Sequence, residues 1–321
     1  MTNLLDTAAG LALKMRGRSA AIFPRGWGDE ANLELFDHLP HQDDVAAAEI
    51  VWDAKTEHRG FRARKGLFTS PIASRLPGKA GVVPVELIEP GTGSDRAVVL
   101  MPAWNDEGFE RRRKIALPLL QRGVASVMFE IPLYGSRRDG VEGDVAIGSV
   151  SDFALMGSGA LVEAHALLNA LERQYGSLGV GGFSMGGNLA ALVSAGRRRA
   201  LATGLMAASH SPGPVYLDGV LSGAIDFPGL GPGSDTELRR LLGSVTVTSE
   251  PPRPHHRAAV LVAARGDGFV PGEAVTTLAE HWPGSELRWL PGGHGGLWWR
   301  HRDALVSAIA DSFDRVVSGD R

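Results

Sequence analysis

The sequence contains no cysteine among its 321 residues. This absence excludes disulfide bonds, thiolate nucleophiles and metal sites with cysteine ligands. It does not indicate a compartment, because proteins without cysteine fold in oxidising and reducing environments alike. Two histidine pairs, His38 with His41 and His255 with His256, lack a third ligand at a recognisable spacing. We therefore expect no metal ion.

The sequence also lacks a large net charge and a long apolar run. A formal net charge of -3 gives no broad field that would hold a polyanion, so we expect no nucleic-acid partner. No stretch approaches the roughly 20 apolar residues that cross a bilayer. Positive residues follow the first apolar stretch, residues 8–13, which is the reverse of a secretory signal. These features predict a cytoplasmic protein without stable membrane insertion.

Hydrophobic residues make up 44% of the chain and charged residues 21%, which is typical of a globular protein with a large core. From residue 59 onward, short apolar runs alternate with longer amphipathic segments, a pattern that predicts parallel strands joined by helices. The predicted fold class is α/β, with a doubly wound, mostly parallel sheet of about eight strands. The predicted strands are 61–67, 82–87, 97–101, 125–130, 178–183, 204–208, 258–263 and 287–290.

The chain divides into an extension and one larger domain. Residues 1–58 predict an N-terminal helical extension, and residues 59–321 predict a catalytic domain. Within the domain, the stretch at about 211–257 is rich in glycine and proline and interrupts the strand and helix alternation. We interpret it as a small cap inserted before the next strand.

Ser184 lies in the most informative motif. The run Gly182-Phe183-Ser184-Met185-Gly186 has the G-x-S-x-G pattern and stands between a predicted strand and a predicted helix. In this context a sharp turn exposes the serine, and the glycines leave space for the returning chain. The alternative is that these residues form a glycine and serine turn that has no catalytic role. The context favours an α/β-hydrolase fold with Ser184 as the nucleophile.

Asp267 and His294 are the predicted partners of Ser184. A serine hydroxyl needs an imidazole to take its proton, and the imidazole needs a carboxylate that fixes its tautomer. In this fold the chain order is serine, acid, histidine. Asp267 and His294 each follow a predicted strand in that order. If Asp267 is not the acid, Asp226 in the predicted cap is the next candidate.

The oxyanion hole is predicted at the amide of Met185, at the start of the helix, and at the amide of Trp104, in the loop after strand 97–101. The Asn105 side chain is a candidate donor to substrate, and His210 at another strand end is a candidate lining residue. Apolar lining is predicted from a further set that could equally belong to the core, namely Met206, Phe227, Leu230, Leu297 and Trp298.

Arg137 and Arg138 follow Tyr134 in the loop after strand 125–130, on the same sheet edge as Ser184. A guanidinium suits an anionic group, so these three residues are candidates for binding a polar or anionic part of the substrate. The alternative is that the arginines pair with nearby acids, of which Glu130, Asp139 and Glu142 are the candidates.

Several separated motifs resemble the family of the α/β-hydrolase domain-containing protein 18, which has bacterial members. They are residues 105–113, residues 131–138 with Pro132, Tyr134 and Gly135, the elbow 184–187, residues 215–222 and the histidine loop 292–294. The resemblance covers roughly residue 60 to the end and implies a hydrolase with serine, aspartate and histidine. Ala103 and Asn105 stand where the family pattern has glycines.

We expect a serine hydrolase that cleaves a small-molecule carboxylic ester through an acyl-enzyme, without a cofactor. The sequence does not distinguish an ester with a lipid-like portion from one with an anionic portion. A thioesterase, amidase or acyltransferase on the same residues is the alternative enzyme class. A catalytically silent binding protein is the alternative outside enzymes.

Overall fold

The computed structural model describes residues 3–15, 21–138 and 147–319. Ten strands in these residues form one sheet. They are β1 (Val51–Trp52), β2 (Thr56–His58), β3 (Phe61–Thr69), β4 (Val82–Pro90), β5 (Arg96–Met101), β6 (Val124–Phe129), β7 (Ser177–Phe183), β8 (Ala202–Met206), β9 (Val260–Ala264) and β10 (Glu286–Leu290).

The strand order is β1-β3-β4-β6-β5-β7-β8-β9-β10, and β2 pairs with β3. Strands β6, β5, β7, β8, β9 and β10 pair in parallel, whereas β1 to β4 pair antiparallel. Parallel strands need helical crossovers, so the carboxyl ends of β7, β9 and β10 meet at one edge. Loops at this edge carry the ligand sites of open α/β sheets.

Ten α-helices lie within the described residues. They are α1 (Leu4–Met15), α2 (Glu30–Leu33), α3 (Glu110–Leu120), α4 (Val150–Leu171), α5 (Met185–Ala195), α6 (Phe227–Leu230), α7 (Ser234–Ser244), α8 (Gly272–His281), α9 (His294–Arg300) and α10 (Arg302–Gly319).

Two hydrophobic cores cover the two faces of the sheet. Alternate residues of a strand point to opposite faces, and in β5 Val99 joins the core that contains α4 and α5. Its neighbours Val98 and Leu100 join the core that contains residues of α3 and α10. Buried on both faces, the central strands are mostly apolar, with Ser126 in β6 and Thr203 in β8 as exceptions, which explains why the sequence predicts them well.

The predicted α/β fold is confirmed, with two strands more than the eight expected. The additional strands β1 and β2 lie in residues 1–58, the segment predicted to be only helical, and both pair antiparallel with β3. They are two and three residues long and largely exposed. Strands this short at an exposed edge carry no recognisable alternation.

One described helix, α4, is long and apolar enough to cross a membrane, and 72% of its most apolar stretch is buried inside the protein. The helix begins with a capping box, in which Ser149 and Asp152 each accept a hydrogen bond from the other's backbone amide. It packs against α5 and β5 and belongs to the larger core. Its apolar sequence is that of a core helix.

Candidate active site

Ser184 lies at the turn between β7 and α5. Its backbone has φ 58° and ψ −125°, a conformation that is strained for a residue with a side chain. A Cβ atom at Gly182 would lie 2.4 Å from the backbone carbon of Gly186. A Cβ atom at Gly186 would lie 2.4 Å from the Met101 carbonyl oxygen. The two glycines are therefore sterically required, and the turn holds the serine hydroxyl out from the sheet edge.

His294 and Asp267 form a hydrogen-bond chain with Ser184. The His294 Nε2 atom lies 2.8 Å from the Ser184 hydroxyl oxygen, and its Nδ1 atom lies 2.8 Å from Asp267 Oδ2. When the Nδ1 hydrogen is donated to the carboxylate, Nε2 is free to accept the serine proton. The structure thus brings together the three residues predicted from the sequence, in the arrangement that proton transfer requires.

Both members of the histidine and acid pair are fixed by further contacts. The imidazole packs between two rings, with centroids 4.9 Å from Phe183 and 4.8 Å from Phe269. The other oxygen of Asp267, Oδ1, accepts hydrogen bonds from the amides of Phe269 and Val270 at 2.8 and 2.9 Å. The carboxylate cannot rotate without losing these two bonds, so its orientation toward His294 is set by the backbone.

Met185 and Trp104 both line the cavity beside Ser184. Met185 is the first residue of α5, where backbone amides and the helix dipole favour negative charge. The loop that carries Trp104 is anchored by Asp106, whose buried carboxylate lies 3.0 Å from Nε of Arg112. Asn105 has φ 55°, in the left-handed region that glycine adopts readily, and it too lines the cavity. Their roles as oxyanion and substrate donors remain predictions.

A cavity of about 690 Å³ opens onto Ser184 and His294. This volume is within the usual range for small-molecule sites. Its wall is mainly apolar and aromatic, and Tyr216 packs against Trp104 and Phe153 with ring centroids 5.6 and 5.0 Å apart. Burial raises the pKa of Tyr216 well above its usual value, so this phenol stays neutral.

The sequence predicts part of this wall, since the region interpreted as a cap contributes to it, but it does not indicate the contributions of α4 and the N-terminal segment. Residues of α4 and of the N-terminal segment face the cavity, and part of the region predicted to be a cap closes it. None of the five predicted apolar lining residues belongs to this wall. Met206, Leu230, Leu297 and Trp298 are instead buried in the two cores, and Phe227 packs against the larger one. The wall includes Ile22, Phe36, Phe153, Gly157, Leu161, Val215 and Leu221.

The prediction that Arg137 binds substrate is wrong. Its side chain is buried, and all five N–H groups are donated to protein acceptors. Two go to the carboxylate of Glu163 at 2.6 and 2.7 Å, and the others go to the carbonyl oxygens of Ala80 and Glu130. The partner acid is on α4, 26 residues away in the chain, which no local pattern reveals.

The structure does not bring the remaining candidates to the cavity. Arg138 forms a salt bridge with Glu107 at 2.6 Å, and the suggested partners Asp139 and Glu142 lie outside the described residues. Tyr134 is buried in the core, which raises the pKa of its phenol. His210 places its Nδ1 atom 3.3 Å from the Ala274 carbonyl oxygen. The reserve acid Asp226 caps α6 through the Gly229 amide.

Arg137→Ala is expected to lower the free energy of unfolding by about 3–5 kcal/mol, because it leaves the buried Glu163 carboxylate unpaired. The matched control is Arg138→Ala. Its partner Glu107 is 48% exposed, so that change is expected to cost less than about 1 kcal/mol. Urea denaturation of both variants measures the difference. Equal losses would contradict the structural role of Arg137.

A sequence model of the family described as alpha/beta hydrolase domain containing 18 matches residues 20–249 and 236–315. The chain belongs to this family. The match confirms the resemblance seen in the sequence motifs and begins at residue 20, earlier than the residue 60 expected from them. The protein is therefore an α/β-hydrolase, and most of its N-terminal segment lies within the family match.

Solved structures of esterases share the fold at low sequence identity. Acetyl xylan esterase from Paenibacillus sp. R4 has a TM-score of 0.57 at 13% identity, over 88% of this chain and 95% of its own. Acetyl xylan esterase 1 from Thermoanaerobacterium sp. JW/SL YS485 has a TM-score of 0.56 at 13% identity, over 94% and 98%. A cold-adapted esterase from an Arctic intertidal metagenomic library has a TM-score of 0.51 at 19% identity, over 81% and 99%.

Proposed function

We propose that this α/β-hydrolase cleaves a carboxylic ester whose acyl group is largely apolar. The observation that carries the proposal is the hydrogen-bond chain from Ser184 through His294 to Asp267 at the wall of a cavity of about 690 Å³. A serine hydroxyl 2.8 Å from an imidazole that is oriented by a carboxylate is an activated nucleophile. The esterase folds of the solved structures agree with this chemistry.

The reaction proceeds in two half-reactions. His294 Nε2 takes the hydroxyl proton while Ser184 Oγ bonds to the ester carbonyl carbon, and the charge that develops on the carbonyl oxygen falls beside the Met185 and Trp104 amides. The carbon–oxygen bond to the alcohol then breaks, and the imidazolium gives its proton to the leaving oxygen. Water, deprotonated by the same imidazole, attacks the acyl-enzyme, releases the acid and regenerates Ser184.

The cavity wall supports an apolar acyl group rather than an acetyl group. Phe153, Leu161, Val215 and Tyr216 line the same cavity as the nucleophile, and burial of each methylene against such a wall contributes about 0.8 kcal/mol. An acetyl group would leave most of this space unfilled. Polar side chains, among them Arg111, Ser158 and Asn188, form the minority of the wall, and such a minority suits the orientation of a single ester better than the binding of a sugar.

We expect kcat/KM for p-nitrophenyl esters to rise by about fourfold for each added methylene until the cavity is filled, since 0.8 kcal/mol corresponds to that factor. Steady-state kinetics with straight acyl chains from two to twelve carbons measures the slope. A profile that falls from acetate onward would contradict the apolar acyl group while leaving ester cleavage intact. Measuring kcat/KM for thioesters and amides with the same acyl chains distinguishes an esterase from a thioesterase or an amidase.

Gly157→Phe is expected to abolish the preference for long chains. Gly157 lies on α4 at the cavity wall, and a Cβ atom there would meet no other atom within 4 Å, so the ring has the cavity to enter. Turnover of the acetate ester is expected to change by less than about threefold. Gly243→Phe is the matched control, because Gly243 is also a helical glycine with open space around its Cβ position, is itself exposed on α7, and lies outside the cavity wall. A similar chain-length profile in both variants would contradict the assignment of this cavity to the acyl group.

A further inference from the structure

The carboxylate of Asp6, on α1, contacts the backbone of both loops that carry the partners of Ser184. Its Oδ2 atom accepts hydrogen bonds from the amide of His294 at 2.7 Å and from the amide of Gly268 at 3.0 Å. Gly268 follows Asp267 directly, so one oxygen atom joins the acid loop to the histidine loop. No local sequence pattern indicates this contact, because Asp6 is 262 residues from Gly268 and 288 from His294.

The contact is built into the packing of the protein. Asp6 is only 3% exposed. A Cβ atom at Gly293 would lie 2.5 Å from Asp6 Oδ2 and 2.5 Å from the Cβ atom of Asn3, so a larger residue at position 293 would displace the carboxylate. The Asn3 amide also donates to the Gly266 carbonyl oxygen at 2.8 Å. The acid loop is therefore hydrogen-bonded to the start of the chain twice, through the Asn3 backbone amide and through the Asp6 side chain.

The helix itself is held against the same region. A Cβ atom at Gly10 would lie 3.0 Å from the Cβ atom of Val220, and α1 packs along the short helical segment Val220–Ala224. The Val220 amide donates to the Gly268 carbonyl oxygen at 2.8 Å. Gly268 is therefore fixed on both its amide and its carbonyl side by the elements that place Asp6.

We propose that Asp6 is a positioning residue, which sets the separation of the Asp267 and His294 loops and so keeps the imidazole in line with Ser184. The proposal rests on the proposed function of those three residues. A carboxylate oxygen can accept more than one hydrogen bond. The Asp6 Oδ2 atom accepts two, from amides in the loops that follow two different strands, β9 and β10. A displacement of about 1 Å in a reacting group costs on the order of 100-fold in rate.

The test compares Asp6→Asn and Asp6→Ala with the matched pair Asp29→Asn and Asp29→Ala in the full-length protein. Asp29 also lies in the N-terminal segment and accepts a backbone amide, that of Ala31, but it caps the short α2 helix. Active sites are counted by fluorophosphonate titration, and kcat is expressed per titrated site. This normalisation removes any effect of a misfolded fraction.

We expect kcat per site to fall by about 100-fold in Asp6→Ala, with KM within about threefold of the original value. Asp6→Asn, which keeps one oxygen acceptor, is expected to lose about 10-fold. Hydrogen exchange of segments 266–270 and 292–296 should accelerate in the Asp6 variants and not in the Asp29 variants, because the Gly268 and His294 amides lose their acceptor.

Two results separate the possible failures. If the unsubstituted protein is neither labelled nor active on esters, the proposed function is wrong and the positioning role falls with it. If the unsubstituted protein is labelled and active, but the Asp6 variants keep kcat per site equal to that of the Asp29 variants, then only the positioning role is overturned. A loss of titratable sites with unchanged kcat per site would also overturn it, since that result describes a merely structural carboxylate. Asp6→Asn keeps the test decisive where Asp6→Ala does not fold.

Discussion

Replacement of Ser184 by alanine is expected to remove fluorophosphonate labelling completely and to lower ester turnover by about a millionfold. The unsubstituted protein should take up one equivalent of the probe, because the His294 imidazole lies 2.8 Å from the Ser184 hydroxyl and can accept its proton. A loss of about 10⁶ in kcat is the size observed when a triad nucleophile is removed. Mass spectrometry of the labelled peptide should place the adduct at Ser184.

The control for this result is a serine in the same cavity. Ser158 on α4 lines the cavity with Ser184, and none of the hydrogen bonds within the described residues joins it to an imidazole. Ser158→Ala is therefore expected to keep stoichiometric labelling, with turnover within about tenfold. Labelling that survives Ser184→Ala, or that is absent from the folded protein, would favour the silent binding protein over the hydrolase.

The elbow and its partners could be predicted because each depends on a short stretch of sequence. The steric demand at Gly182 and Gly186 acts over a few residues. The chain order of serine, acid and histidine follows from the strand order, so Asp267 and His294 are found at the ends of β9 and β10. Fully buried parallel strands are mostly apolar, and their positions are therefore visible without knowledge of the fold.

The cavity wall could not be predicted in the same way, because it depends on contacts between distant segments. Phe153 and Leu161 lie in a helix that is apolar over most of its surface. In such a helix the residues that face the cavity cannot be distinguished by periodicity from those that face the core. The role of Arg137 also depends on a distant segment. A buried arginine and a substrate-binding arginine can have the same local sequence, and only the fold shows that Arg137 pairs with Glu163. Asp6 was missed for the same reason.

Asp267→Asn is expected to lower kcat by about 10⁴ without loss of fold, and the hydrogen bonds explain why. The Asp267 Oδ1 atom accepts two backbone amides, so an asparagine will keep its oxygen at that position. Its NH₂ group then faces His294 Nδ1, which must become an acceptor. The imidazole proton moves to Nε2, where it blocks transfer of the serine proton. Nitrogen chemical shifts of His294 should show the inverted tautomer.

His294→Ala is expected to lower kcat by about 10⁶, and the double variant with Asp267→Asn should be no slower than His294→Ala alone. The carboxylate acts only through the imidazole, so its removal costs nothing once the imidazole is absent. Asp226→Asn is the charge-matched control, since Asp226 caps the α6 helix, and it is expected to keep turnover within about threefold. Additive losses in the double variant would mean that Asp267 acts on the substrate independently of His294. Near-normal turnover in Asp267→Asn would reassign the acid, and Asp6, which already contacts the His294 backbone at 2.7 Å, would be the first carboxylate to test.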